Sequence, residues 1–292
     1  MDFCQGFEHF VRTQEPLASY AWLRIGGAAE YFAEPNNVTE LAALLKRCRE
    51  QDKPVRLLGG GSNLLIRDEA ISGVVVRLSH PSFTNIEVNG AVVQCGGGAR
   101  LANVVSTTVG LGLAGLESLV GIPGTIGGAL RGNAGNNGED IGRWATSVDV
   151  MTTEGEVRKC GAGELRFSYR ESNLDEFVIL GAALKLENGD AAELTRRMQK
   201  QWIVKRAAEP LPEQNISILF RNPADVSAAS LIEQAGLRDA SVGAVRLSDR
   251  NANFVVAAAG AKATDVLQLM ELVRSRVHEV FGIELKNGVT IW

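Results

Sequence analysis

Cysteine, histidine and aromatic side chains are scarce in this chain, and each scarcity closes off a chemistry. Of 292 residues only 4 are cysteine and 3 are histidine, and aromatic residues make up 6%. Cys4, Cys48, Cys95 and Cys160 stand far apart, so neither a disulfide framework nor a CxxC metal site is expected. With only His9, His80 and His278 to help, metal catalysis is not expected either. Positive charge has no excess: Lys plus Arg number 30 against 34 Asp plus Glu, a formal net charge of -4. No overall positive field would recruit nucleic acid or an anionic membrane, and any anion site must be local. Long apolar runs are also missing, since none approaches the length of a membrane span. The amino-terminal MDFCQGFEHFVRTQEP lacks the basic start and apolar core of a secretion signal. These absences predict a soluble cytoplasmic protein with no nucleic-acid or membrane partner. Two nucleotide-binding signatures are absent as well. No GxGxxG opens a strand-to-helix unit and no GK[ST] completes a Walker loop, so a Rossmann fold is not the natural expectation.

Glycine is what the chain has in quantity, at 32 residues, and it is concentrated. LGGGSNLLI at residues 58 to 66 follows the apolar Pro54 to Leu58 and uses Gly59, Gly60 and Gly61 before Ser62, Asn63 and Leu64. A strand there is expected to turn sharply so that bare amides converge, an arrangement that binds phosphate. GIPGTIGGALRGNAG at residues 121 to 135 places Gly121, Gly124, Gly127 and Gly128 around Pro123 and adds Asn133 and Gly135. That pattern suits a loop pressed flat against a rigid planar ligand. Together the stretches read as a nucleotide cradle; a pair of ordinary tight turns is the alternative.

The rest of the chain alternates strand-length apolar runs with a few helices, which predicts an α+β protein with cores in more than one domain. Thr39 is the expected N-cap of a helix running to Gln51, with Leu41, Leu44, Leu45 and Cys48 on its apolar face. Asn89-Gly90 predicts one hairpin and Glu154-Gly155 another. Helical composition begins at Ala191 and runs to about Arg206, placing the main boundary near Asn188-Gly189. A last helix over about Thr264 to Phe281 repeats Val266, Leu269, Met270, Val273, Val277 and Val280 and stops at Gly282.

Five segments in order resemble one family closely. They are LRIGGAAEYFAEP (23 to 35), the two glycine stretches, FSYRES (167 to 172), FRNP (220 to 223) and FGIEL (281 to 285). In this order they resemble the UDP-N-acetylenolpyruvoylglucosamine reductase family, flavoenzymes of bacterial wall synthesis, over nearly the whole chain. The resemblance implies a two-part FAD-binding domain of the PCMH type, with parts at 1–80 and 81–188. A smaller α+β substrate-binding domain would follow at 189–292. It further implies noncovalent FAD, NADPH as hydride donor, a UDP-sugar substrate, and a place in peptidoglycan synthesis, cell shape and cell division. The expected state is a monomer or weak homo-oligomer. The FAD contacts implied are Gly59, Gly60, Gly61, Ser62, Asn63, Leu64, Gly124, Gly127, Gly128, Asn133 and Gly135.

The reaction implied is a hydride relay in which NADPH reduces FAD and the flavin delivers hydride to an enolpyruvyl double bond. The protein must then polarise the substrate carboxylate and protonate carbon. Arg170, in Ser168-Tyr169-Arg170-Glu171-Ser172, matches the family arginine that grips the carboxylate, and its planar fork suits two hydrogen bonds to it. Lys205, Arg221 and Asn222 match positions on the substrate side; for Lys205, service at a helix end is the alternative. Two further family positions are changed. Aligning Pro210-Leu211 and Phe220-Arg221-Asn222-Pro223 without a gap puts Ile218 where a serine or cysteine gives the proton, and Gly288 where a glutamate assists polarisation. In Ser248-Asp249-Arg250-Asn251-Ala252-Asn253-Phe254, Asn251 replaces a histidine. Substituting Ile218→Ser with Gly288→Glu is therefore expected to speed the second half-reaction. A catalytically weak or silent FAD-binding homologue, and a related FAD-linked oxidoreductase with another substrate, are the alternatives.

Overall fold

The structure, a computed structural model, describes residues 3–136, 138–174, 178–210, 215–223 and 226–292. Leu211, used above to align the FRNP segment, lies outside the described residues. The chain forms two compact units. The first comprises Met1–Gln14, Glu30–Gly60 and Ser72–Ile203, and the second comprises Glu15–Ala29, Gly61–Ile71 and Val204–Trp292.

The first unit is built on a five-stranded antiparallel sheet. Its strands lie in the order Val157–Gly161, Ala145–Met151, Val178–Lys185, Val92–Gly96, Ile86–Asn89. Both hairpins read from sequence are edge hairpins of this sheet, with Gly90 at φ 58° and Gly155 at φ 84°, left-handed values that glycine adopts without penalty. Helix Leu101–Gly110 buries Leu101, Val104, Val105 and Val109 in a core shared with Val93, Val148, Val150 and Leu184. A second core lies under helix Val38–Glu50, where Leu41, Leu44, Leu45 and Cys48 join Val74, Val76 and Phe83. That helix begins two residues earlier than the sequence suggested. Asn37 rather than Thr39 is the N-cap, its Oδ1 accepting from the Glu40 amide at 2.9 Å.

The second unit carries a four-stranded antiparallel sheet ordered Asn215–Ile218, Phe254–Ala257, Val245–Leu247, Ser241–Val242. Helix Ala263–Phe281 covers one face, burying Val266, Leu269, Met270, Val273 and Val277 against Val245, Leu247 and Val255. It ends at Gly282 in the left-handed conformation, φ 68°. Val280, in the helix's last turn, is 43% exposed and leaves the stripe. At the other end Asp68 accepts from the Ala263 and Thr264 amides at 2.8 and 3.2 Å, placing negative charge at the helix N-terminus.

Cys48, Cys95 and Cys160 are buried, and burial pushes the Cys48 and Cys95 thiols up to about 12. Only Cys4 is partly exposed. Brief alkylation of the native protein at pH 8 is therefore expected to label Cys4 and spare Cys48 and Cys95; peptide mapping that finds either buried thiol modified at a comparable rate would contradict this packing.

Candidate active site: two glycine stretches and the Arg170 hairpin

Strand Val55–Leu57 pairs in parallel with Ile71–Val76 and delivers the chain into the first glycine stretch at Leu58, whose amide bonds the Val76 carbonyl at 2.8 Å. Beyond it, the amides of Gly59, Gly60 and Gly61 donate to no described residue. Gly61 is buried, and unpaired buried donors of this kind ask for an acceptor. Between Gly60 and Gly61 the chain passes from the first unit to the second.

Within the first unit the two glycine stretches touch. A Cβ on Gly60 would stand 2.7 Å from the Cα of Gly124, and one on Gly59 would stand 2.9 Å from Thr125 Oγ1. Gly124, at φ 121°, holds a conformation that side chains rarely permit. Residues Ile126–Arg131, read from sequence as part of a flat loop, form one short helix capped by Thr125, whose Oγ1 accepts from the Gly128 amide at 3.3 Å. A third glycine run, which sequence reasoning passed over, packs against this helix. Gly96 ends strand Val92–Gly96, Gly97 and Gly98 follow it, and the Gly97 carbonyl accepts from the Gly127 amide at 2.7 Å. A Cβ on Gly127 would lie 3.0 Å from that same carbonyl oxygen. Three consecutive glycines at the end of a strand were the available signal. Gly128 differs: a Cβ there would meet only Thr125 Oγ1, at 3.6 Å, so nothing in the fold demands glycine at this exposed position. Gly135 sits in a tight pair, Gly135–Asn136 with Glu139–Asp140, where a Cβ would lie 2.5 Å from the Glu139 carbonyl.

Arg170 occupies the second position of a two-residue hairpin turn between Phe167–Ser168 and Glu171–Ser172. Its φ is 59°, in the left-handed region where a non-glycine residue stores roughly 1–3 kcal/mol. The side chain is exposed, lies over the Tyr169 ring with Cζ 5.7 Å from the centroid, and meets no acidic partner among the described residues. Asn133, expected at the cofactor, spends both ends of its amide on protein. Its Nδ2 donates to the Ser168 carbonyl at 2.9 Å and its Oδ1 accepts from the Gly142 amide at 3.1 Å.

The remaining expected site residues fall in the second unit. Asn63 is exposed and Leu64 is buried, pairing in parallel with Thr290. Ser62 is half-buried. Lys205 Nζ lies 3.8 Å from Glu209 Oε1, and burial raises the Glu209 carboxyl above its ordinary value against the opposing pull of Lys205. The Arg221 amide donates to the Lys286 carbonyl, and Asn222 Oδ1 accepts from the Ala228 amide at 3.0 Å. Asn253 clamps the backbone between them and the sheet: its side-chain amide both donates to the Phe220 carbonyl and accepts from the Phe220 amide, at 2.8 and 3.0 Å.

The two replaced positions are also defined. Ser217 pairs with Val255, which pairs with Leu247, a row buried toward the helix. Ile218 pairs with Phe254 on the opposite face, so neighbouring Ser217 cannot present its hydroxyl there. Gly288 donates to the Leu219 carbonyl at 2.8 Å, and a Cβ on it would stand 2.8 Å from the carbonyl carbon of Phe220 and 3.2 Å from its nitrogen. A glutamate cannot be added there without moving backbone.

Comparison with known proteins matches this arrangement. The FAD binding domain family matches residues 29–161, and the C-terminal domain of UDP-N-acetylenolpyruvoylglucosamine reductase matches residues 209–292. The reductase of that name from Rhodopirellula baltica is 37% identical over 290 residues, spanning 99% of this chain and 95% of the relative. The chain belongs to the UDP-N-acetylenolpyruvoylglucosamine reductase family. The namesake from Heliobacterium modesticaldum is 39% identical over 284 residues, covering 95% of this chain and 89% of that one. The crystal structure of the Thermus caldophilus reductase superposes with a TM-score of 0.83 at 32% identity, over 97% of this chain and all, 100%, of that one. A 6-hydroxy-D-nicotine oxidase from Arthrobacter nicotinovorans, 14% identical with a TM-score of 0.62 over 97% of this chain and 87% of that one, shares the fold. The α+β class expected from the sequence holds, with the FAD-binding part first and the family's C-terminal domain after it.

Proposed function

We propose that this chain is an FAD-dependent reductase that uses NADPH to reduce UDP-N-acetylglucosamine enolpyruvate to UDP-N-acetylmuramate in peptidoglycan synthesis. The observation that carries the reading is the pair of glycine stretches brought into backbone contact at Gly60 and Gly124, in a chain that matches a family relative over 95% of that relative's length. The residues fit the cofactor. The amides of Gly59, Gly60 and Gly61 have no acceptor among the described residues, and Gly128 is glycine where the fold has no need of it. When bound, FAD supplies the hydride chemistry that no side chain can.

The protein's own part is to hold the cofactor and to manage charge on the substrate. Gly59, Gly60, Gly61, Ser62, Asn63 and Leu64 with Gly124, Gly127, Gly128, Asn133 and Gly135 form the cofactor side. Arg170 grips the substrate carboxylate; its strained turn, exposed guanidinium and lack of an acidic partner among the described residues support that role. Arg221, Asn222 and Lys205 form the nucleotide side, with Asn222 and Lys205 also serving the local fold. The organisation proposed is an FAD-binding part in two pieces, 1–80 and 81–188, with substrate binding by 189–292. No helix among the described residues is long and apolar enough to cross a membrane. A cytoplasmic location, and a monomer or weak homo-oligomer, complete the proposal.

The test is anaerobic and has two stages. NADPH added to the purified yellow protein should bleach the flavin, and the enolpyruvyl sugar added next should restore its colour with formation of the saturated product. Bleaching without recovery would leave a flavoprotein that does not act on this sugar, and a colourless protein that FAD cannot reconstitute would end the reading altogether.

A further inference from the structure

The structure assigns Asn133 a second role, in which it forms with Gly142 a clamp that positions Arg170. Three contacts close a ring. Asn133 Nδ2 donates to the carbonyl of Ser168, two residues before Arg170, at 2.9 Å. Asn133 Oδ1 accepts from the Gly142 amide at 3.1 Å. Gly142 in turn lies flat against Phe167, so closely that an added Cβ would overlap the aromatic ring. On the far strand of the same hairpin, Ser172 Oγ donates to the Arg131 carbonyl at 2.8 Å, fixing that strand to the end of the glycine-stretch helix.

The chemistry of this arrangement is specific. Asn133 is 2% exposed and carries a left-handed φ of 39°, a conformation that asparagine and aspartate tolerate better than other side chains. A side chain buried this deeply with donor and acceptor both satisfied fixes the groups it bonds. What it fixes is a two-residue turn that otherwise rests on two short strands. The guanidinium at its tip is exposed and lies over the Tyr169 ring of the same turn, so the turn sets where it points. Asn133 is thus a positioning residue that acts through Arg170, joining the glycine stretch on the cofactor side to the group that grips the carboxylate. The assignment rests on the proposed role of Arg170.

Asn133→Asp separates positioning from folding, since it keeps the left-handed backbone and the acceptor for Gly142 while turning the donor to Ser168 into a carboxylate oxygen. In the full-length FAD-loaded protein the rate of flavin reoxidation by the enolpyruvyl sugar is expected to fall about 10- to 100-fold, the scale of a misplaced positioning group. With Gly142→Ala, a substitution outside the cofactor side, flavin content and the rate of bleaching by NADPH should stay within about twofold of the parent while reoxidation slows, as a purely structural lesion would not allow. Once Arg170→Ala is present, adding Asn133→Asp should cost less than about twofold more, because the clamp then has nothing to aim. Gly142→Ala, at a position without left-handed φ, is the independent variant and should show the same selective slowing through Phe167. Equal slowing by Asn133→Asp with and without Arg170, or loss of FAD in step with activity in Gly142→Ala, would overturn the clamp. If Arg170→Ala alone leaves reoxidation unchanged, the role of Arg170 fails and the clamp with it; if Arg170→Ala is slow while Asn133→Asp and Gly142→Ala are both normal, only the clamp fails.

Discussion

Gly60→Ala is expected to yield a protein that no longer retains FAD. The added methyl carbon would stand 2.7 Å from the Cα of Gly124, a distance real Cβ atoms do not keep, and the obstacle is backbone rather than a side chain that could swing away. Gly60 has no left-handed φ, so alanine costs nothing intrinsically and the whole effect is the forced separation of the two glycine stretches. With the amides of Gly59 to Gly61 displaced from the ligand, affinity for FAD should weaken about 100-fold or more, equivalent to about 2.7 kcal/mol. Gly163→Ala is the matched control, since a Cβ there meets nothing within 4 Å and the surface position should tolerate it within about 0.5 kcal/mol. Titrating FAD into the two apoproteins by flavin fluorescence quenching decides the matter. A Gly60→Ala protein that purifies fully yellow would show that the contact between the stretches is not part of the cofactor site. Gly127→Val should act in the same direction through a different neighbour, the Gly97 carbonyl 3.0 Å from its first side-chain carbon.

The sequence made these positions visible because glycine is informative where its absence of a side chain is used. Gly60 and Gly124 lie 64 residues apart in sequence, and nothing local says that one needs the other; only the order of motifs joined them. Periodic segments were readable for a different reason. Helix Ala263–Phe281 announces its buried face through Val266, Leu269, Met270, Val273 and Val277, because a 3.6-residue repeat has to match one sheet. Its margin was not readable: Val280 keeps the period yet is exposed in the helix's last turn. The short helix Ile126–Arg131 was hidden for the opposite reason, since Gly127 and Gly128 are poor helix formers and it is set by the Thr125 cap and by the bond from Gly127 to Gly97. Asn133 shows the deepest limit. A buried amide with two polar partners and an amide lying against a planar ligand look identical in sequence, and only the distances to Ser168 and Gly142 distinguish them.

Backbone distances around the two replaced positions reverse what the sequence alone implies about regaining their groups. Ile218→Ser is expected to accelerate reoxidation of the reduced protein by the enolpyruvyl sugar about 10²- to 10⁴-fold, the range spanned by a positioned general acid. The side chain at 218 shares its face with Phe254, Ile216 and Val256 rather than with the helix-packed row of Ser217, Val255 and Leu247, so a hydroxyl placed there is on the face of the sheet turned away from the helix. Ser217 is no substitute, being 3% exposed and turned the other way. Gly288→Glu behaves differently. Its Cβ would meet the Phe220 carbonyl carbon at 2.8 Å and the Phe220 oxygen at 3.0 Å, so the FRNP segment must shift, at a cost of about 1–3 kcal/mol in stability. That segment carries Arg221 and Asn222, and the Asn253 clamp on Phe220 would be pulled with it. The double substitution should therefore be slower than Ile218→Ser alone, where simple restoration of two family groups predicts the reverse. Single-turnover reoxidation of the parent, both single variants and the double variant, with urea unfolding of each, separates the two accounts. A double variant faster than Ile218→Ser and as stable as the parent would show that the backbone around Phe220 yields to a side chain at 288, and a parent already as fast as Ile218→Ser would show that another group delivers the proton.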